Sequence, residues 1–202
     1  MAAKASASGI SIRRPGARAR VLAAAYELFH ERGTRDVGID AIVRRSGVAK
    51  MSLYHHFRSK QELVEAFLAE HDRVWTVEWL KSQVWARARS PARRLLVVFD
   101  VLGEWYRSEG FAGCPFVRVM LEYPCGHPSR RAASAHLANI REFLRELAAE
   151  AGVRQPERFA STCQMLMAGA GVSAYEGNLQ AAREAKAMAT LFLKASLPAL
   201  QP

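Results

Sequence analysis

IDAIVRRSGVAKMSLYHHFRSK, residues 39–60, reads as two short helices joined by a tight turn. Ile39, Ile42, Val43 and Ser46 recur at spacings of three and four, the period of one buried helix face. Gly47 interrupts that pattern where a helix-turn-helix needs a residue that tolerates positive φ. Val48 restarts the apolar pattern, and Leu53 and Phe57 continue it at i and i+4 on the next helix. Lys50, Met51, Ser52, Tyr54 and His55 are left pointing outward. A cation, a thioether, a hydroxyl, a phenol and an imidazole on one short helix suit base edges and phosphates.

Charge supports that reading. The 202-residue chain has a formal net charge of +10, and residues 1–60 hold 12 Lys/Arg against 4 Asp/Glu. Residues 61–202 are nearly balanced, with 17 against 15. A basic excess confined to the segment with the outward-facing helix is the electrostatic footprint of a nucleic-acid binder.

Upstream, residues 1–12 are Ala/Ser-rich and poor in large apolar groups, and read as a disordered arm. Arg13, Arg14, Arg18 and Arg20 follow, either a solvated face or an arm that reaches a phosphate or the minor groove. Val21, Ala24, Ala25, Leu28 and Phe29 form an apolar stripe that Gly33 ends, giving a supporting first helix. Residues 13–60 therefore form the expected helix-turn-helix domain, and residues 61–202 a second one. Ser59, with Glu62 three residues on, begins a long helix, and no Gly or Pro interrupts residues 60–90. The two halves should be rigidly connected.

Further helices are expected from Ser90-Pro91 to about Gly110, around Phe116–Tyr123, from Ser129 to Ala151, from Pro156 to Tyr175 and from Ala181 to Leu197. The uncharged run from Phe159 to Tyr175 is 17 residues, short of a membrane span, and reads as a buried helix. No strand-like alternation or internal repeat stands out. The fold class is all-α, with about nine helices.

Residues 18–68 closely resemble the N-terminal domain of the TetR family of bacterial transcriptional regulators. Leu28-Phe29, Gly33, Ile42, Gly47-Val48, Leu53-Tyr54, Phe57, Lys60 and Leu63 carry the resemblance in order and spacing. It implies a homodimer that binds a pseudo-palindromic double-stranded DNA operator and releases it when a small molecule enters the C-terminal core. It also implies that Lys50, Met51, Ser52, Tyr54 and His55 reach bases, and that Tyr54, His56 and Lys60 hold phosphates. Gly38 occupies a further contact position, where the family usually places Ser or Thr. Its missing cap costs only a few tenths of a kcal/mol. His56 also reads as a hydrogen-bonded packing residue.

The C-terminal half is rich in large, soft side chains, the usual lining of ligand cavities. Trp79, Trp105, Phe116, Met120 and Tyr123 are the expected walls, with Glu122 as polar anchor. They favour a largely apolar effector, and an ionised Glu122 favours one with a positive charge. The rival reading gives this half only dimerisation or protein-partner binding. Family members dimerise through their last two long helices, and small residues including Gly171 are expected at that contact.

Cys114, Cys125 and Cys163 form no CxxC pair, which suggests reduced thiols and a cytoplasmic home. The first residues lack a signal peptide's apolar stretch. Cys114 at a helix start reads as a low-pKa thiol or as a small buried hydrophobe. Cys125 and His127 are too few for a metal site. There is no GxSxG, no HExxH and no phosphate-binding glycine loop, so no enzyme, cofactor or metal is expected.

Overall fold

A computed structural model of the chain describes residues 15–109 and 111–198. The expected arm at 1–12, Arg13, Arg14 and Gly110 lie outside the described residues. Helix α1 (Ala17–Arg32) supports α2 (Ile39–Ser46) and α3 (Lys50–His56). A rod then runs from residue 60 to 87 as α4 (Lys60–His71), a widened π-helical stretch (Asp72–Lys81) and α5 (Ser82–Arg87). It is followed by α6 (Pro91–Tyr106), α7 (Pro115–Glu122), α8 (Pro128–Glu150), α9 (Pro156–Tyr175) and α10 (Ala181–Ser196). Counting the rod once, the described residues form nine helices and no strand. None is long and apolar enough to cross a membrane.

The N-terminal unit folds around the side chains that the helical period selects. Val21, Ala25 and Phe29 of α1 meet Ile42, Val48, Leu53 and Phe57 in one buried cluster. Each fully buried Leu or Phe contributes roughly 1.5–3 kcal/mol. Gly47 sits at φ 61°, the left-handed conformation that ends α2, and its N–H donates to Val43 O at 3.1 Å. Ser59 caps the rod by accepting from Glu62 N at 3.1 Å. The Glu62 carboxylate returns to Arg58 N at 2.8 Å rather than to Ser59 N, so the reciprocal bond is shifted one residue outward.

In the C-terminal half, α8 packs on α4, α6, α7 and α9, and α10 packs on α6 and α9. One expectation is overturned here. Helix α9 is buried on one face only, through Phe159, Cys163, Met167 and Ala170, whereas Met165 is 65% exposed and Val172 and Tyr175 face outward. The uncharged run is amphipathic by size and packing, not a buried rod.

The N-terminal unit meets the core across a joint of rings. Tyr26 Oη and His71 Nδ1 lie 2.7 Å apart. Trp75 stacks on His71 with centroids 5.9 Å apart, and Phe116 meets it edge-on at 5.2 Å. Phe116 also stacks on His136 at 5.2 Å, and His136 approaches Asp72 to 3.1 Å. Burial lowers the His71 pKa to about 4; His30 pushes in the same direction and Asp72 against it.

The folded state therefore holds His71 neutral. A base with a folded pKa below its unfolded value of about 6.5 takes up its proton more readily when unfolded. Stability is then full above pH 6.5 and falls as pH drops toward 4. For this group the loss at pH 5 is about 2 kcal/mol. Urea denaturation at pH 7 and pH 5 should show wild type losing that much more stability than His71→Phe. Equal losses in the two proteins would place the pH sensitivity elsewhere.

Candidate nucleic-acid interface and core cavity

Helix α3 divides sharply between its faces. Leu53 and Phe57 are fully buried beneath it, while Met51 is 82% exposed and Tyr54 40% exposed. Lys50 and His55 are exposed beside them, and Ser52 and His56 are half-buried. Lys50 Nζ donates to Asp40 at 2.8 Å, which raises the lysine pKa and lowers the aspartate's. Both groups are in water, so the pair exchanges readily for another anion. The His56 ring meets His55 at 5.3 Å. Lys60 turns back toward the protein, donating to Arg35 O at 3.1 Å, and burial lowers its pKa. Gly38 starts α2 exposed and with no side-chain cap. Arg18 holds its guanidinium 5.1 Å over the Phe57 ring.

The core contains a cavity of about 300 Å³, enough for a small organic molecule. Its walls come from Trp75 on the rod, Leu102, Trp105 and Tyr106 on α6, and Phe111 to Cys114 in the following loop. Val117, Arg118 and Leu121 of α7, Leu137 and Ile140 of α8, and six residues of α9 from Gln164 to Tyr175 complete it. Tyr106 Oη donates to Met167 O at 3.0 Å, and burial raises its pKa. Burial also raises the Cys114 thiol, outweighing the backbone N–H groups of Phe116 and Val117, so the helix start does not activate it.

Of the six expected wall residues, only Trp105 lines this cavity. Trp79 lies behind Trp75, with centroids 5.7 Å apart. Phe116 belongs to the ring joint, and Met120 packs half-buried against the main core. Tyr123 stacks on His127 at 4.3 Å, and its hydroxyl lies 3.0 Å from Thr34 Oγ1. Glu122 accepts from Thr34 N at 3.0 and 3.2 Å and from Thr34 Oγ1 at 2.5 Å. The reason is the helical period. Cys114, Val117, Arg118 and Leu121 share the cavity face of α7, and Phe116, Met120 and Tyr123 share another. Gly171, expected at a subunit contact, lines the cavity, where an added Cβ would sit 3.4 Å from Tyr106 Oη. Tyr106 and Arg118 are among the wall residues that the sequence did not single out. The i, i+3, i+4, i+7 spacing from Cys114 was the available signal, masked by the charge on Arg118.

A three-helix unit with an outward-facing third helix, continued without a break into a helical core that holds a cavity, defines the helix-turn-helix regulator class. Residues 21–67 match the family described as "Bacterial regulatory proteins, tetR family". Residues 21–67 thus carry the N-terminal domain of that family. Over 54 residues it is 48% identical to the HTH-type transcriptional activator FasR of Mycolicibacterium smegmatis, covering 27% of this chain and 25% of that protein. Over 52 residues it is 40% identical to the HTH-type transcriptional regulator SrpR of Pseudomonas putida, covering 26% and 24%. The match thus spans about a quarter of these relatives' length. The crystal structure of a TetR-family transcriptional regulator from Streptomyces coelicolor has TM-score 0.79 and 28% identity over 89% of this chain and 95% of that one. The reduced form of NemR from E. coli has TM-score 0.76 at 21% identity over 87% and 95%, a likeness of fold.

Glu122 latches the N-terminal unit to α7. Beyond its Thr34 bonds, its main-chain carbonyl accepts from Arg35 Nη1 at 3.2 Å, and Gly33 (φ 84°) lies so close that a Cβ would collide with its carboxylate. Removing the carboxylate leaves the Thr34 N–H and hydroxyl without their acceptor. Glu122→Ala should cost about 2 kcal/mol in chemical denaturation, and Glu122→Gln clearly less, because the amide oxygen still accepts one bond. An Ala variant as stable as wild type would rule the latch out.

Proposed function

We propose that this protein is a homodimeric transcriptional regulator that reads duplex DNA through α3 and alters that binding when a small, largely apolar molecule occupies the core cavity. The observation that carries the reading is the two-faced burial of α3. Its inner side chains are fixed in the core, while Lys50, Met51, Tyr54 and His55 stand together in water. Two large apolar groups left exposed beside a lysine and a histidine gain from meeting base edges, methyl groups and phosphates. Ser52 borders that face, and the uncapped α2 start at Gly38 offers backbone N–H groups to a phosphate. His56 and Lys60 take phosphates at the flank, Lys60 by exchanging the Arg35 carbonyl for a stronger acceptor.

The second copy packs against α9 and α10. Their outer faces carry Met165, Val172, Tyr175, Met188 and Leu191, all more than half exposed, and clustered exposed apolar groups mark protein–protein contacts. Gly169 has open space around it on the same helix, which lets a partner helix approach closely. Two-fold pairing presents two copies of α3 and calls for a pseudo-palindromic site with half-sites about one helical turn apart. Such a protein works in the cytoplasm, where its DNA is. Bound to its site without ligand, it acts as a repressor. The activator among its sequence relatives supports the opposite sign, and a promoter–reporter assay with and without the gene separates the two.

Selection of bound fragments from genomic DNA, followed by footprinting, should recover a two-fold site. Lys60→Ala should weaken binding to all sequences and flatten the salt dependence by about one unit. Lys50→Ala and Ser52→Ala should relax preference at particular base pairs, each worth about 1–3 kcal/mol. Met165→Glu combined with Leu191→Glu should give monomers in sedimentation and weak half-site binding. Uniform loss of affinity in every α3 variant, or a dimer that survives both glutamates, would defeat the corresponding assignment.

A further inference from the structure

The polar lining of the cavity is one-sided. Among the described residues, Arg118 is the only wall residue with a formal charge. The other polar groups are either satisfied or are donors. Gln164 donates to Leu137 O and accepts from Arg141, and Tyr106 gives its proton to Met167 O. Trp75 Nε1 is buried with no acceptor. Arg118 carries five N–H donors, and one of them, on Nη1, reaches the His30 carbonyl at 3.0 Å. It makes no ion pair with any described carboxylate, the nearby Glu122 being occupied by Thr34.

Arg118 also stands on a boundary. A second crevice, about 10 Å³ and lined by Phe29, His30, Thr34 and Phe67, lies beyond it, and Arg118 belongs to the walls of both spaces. Arg118 therefore lines the cavity while its guanidinium ties down a carbonyl in the last turn of α1, the negative end of that helix dipole.

We propose that the effector is an apolar or aromatic carboxylate, that Arg118 holds its charge, and that binding draws the guanidinium away from the His30 carbonyl. This rests on the reading of the cavity as the effector site. A carboxylate offers the guanidinium two charge-assisted bonds in place of one bond to a neutral carbonyl, and a water-poor wall strengthens them. A cation, the class that Glu122 in the wall would have favoured, finds no acidic group here. Losing Arg118 removes one of the bonds that tie the end of α1 and the Gly33–Thr34 turn to α7, leaving those to Glu122 and Tyr123, so the anion favours a looser joint. That difference between the two arrangements is what an effector needs in order to shift the position of the reading helix.

The test titrates the full-length protein by calorimetry with three probes of one shape: 2-naphthoate, 2-naphthamide and 2-naphthylmethylammonium. Wild type should bind the acid at least about tenfold tighter than the amide, and the ammonium weakest. Arg118→Met should bind acid and amide alike, with amide affinity close to wild type, and Arg118→Lys should fall between. Amide hydrogen exchange at residues 31–36 should quicken severalfold when 2-naphthoate binds wild type, and should not respond to it in Arg118→Met. Equal binding of acid and amide by wild type, a preference that survives in Arg118→Met, or unchanged exchange at 31–36 each overturns the inference while leaving the cavity a ligand site. No saturable binding of any probe overturns the cavity's role and the inference together.

Discussion

The rod from residue 60 to 87 is the constraint on which both halves of the molecule depend. It carries no Gly or Pro, and it is clamped at both ends. Leu63, Val64, Phe67 and Leu68 are fully buried near its start, and Leu80 and Val84 near its end. A helix anchored this way does not bend at a convenient residue, so the N-terminal unit can reorient only by pivoting with the rod or by slipping at its lateral contacts. Beside the ring joint, those contacts include a small polar set. Glu122 holds Thr34 and, through its carbonyl, Arg35, while Arg118 holds His30. A stiff lever with a small, hydrogen-bonded lateral joint has discrete positions, which is what a switch needs.

The widened stretch from Asp72 to Lys81 gives that lever a second connection. Trp75 lies within it, touching His71 on one side and Trp105 on the other, with centroids 5.9 and 4.7 Å apart. Trp75 lines the cavity, and His71 bonds Tyr26 of α1. The cavity thus meets α1 twice, through a ring stack on the rod and through the guanidinium on α7. Single-turn π-helical insertions are frequent at functional sites. Here ten residues adopt the wider winding, and they carry the indole that joins the two regions.

Much of this was legible in the sequence because it is periodic and local. The stripes of α1, the Gly47 turn, the Leu53–Phe57 pair and the uninterrupted run after Ser59 each follow from spacing within one or two turns. The cavity was not. Helix α7 is only eight residues, PFVRVMLE, with large apolar groups on both faces, so its period alone does not choose which face turns inward. Glu122 read as a cavity anchor because it was the lone acid in an apolar run, yet its partner Thr34 lies 88 residues away. Gly171 read as a subunit contact because small residues surround it, while the ring that fills its space, Tyr106, belongs to another helix. In each case the deciding contact is long-range, and composition near the residue carries no information about it. The π-helical winding left no trace in the pattern either, since residues 72–81 fit an ordinary helix equally well.

The cavity and the proposed dimer contact share helix α9, and this ties their energetics together. Val172 and Tyr175 line the cavity mouth and also stand on the outward apolar face of α9, and Leu121, 75% exposed, borders the same opening. In the proposed dimer, a second copy seated on α9 and α10 would cover part of that rim and lower the dielectric around Arg118. An anion held there would then be screened less by water and bound more tightly in the dimer than in a monomer. Linkage requires the reverse as well: whatever binds the dimer's cavity more tightly strengthens the dimer by the same free energy. On the proposed reading, release of DNA by such an effector would therefore not proceed through dissociation into monomers. In the proposed dimer it would proceed through the angle between two reading helices within an intact pair, a motion compatible with the rod and its lateral joint.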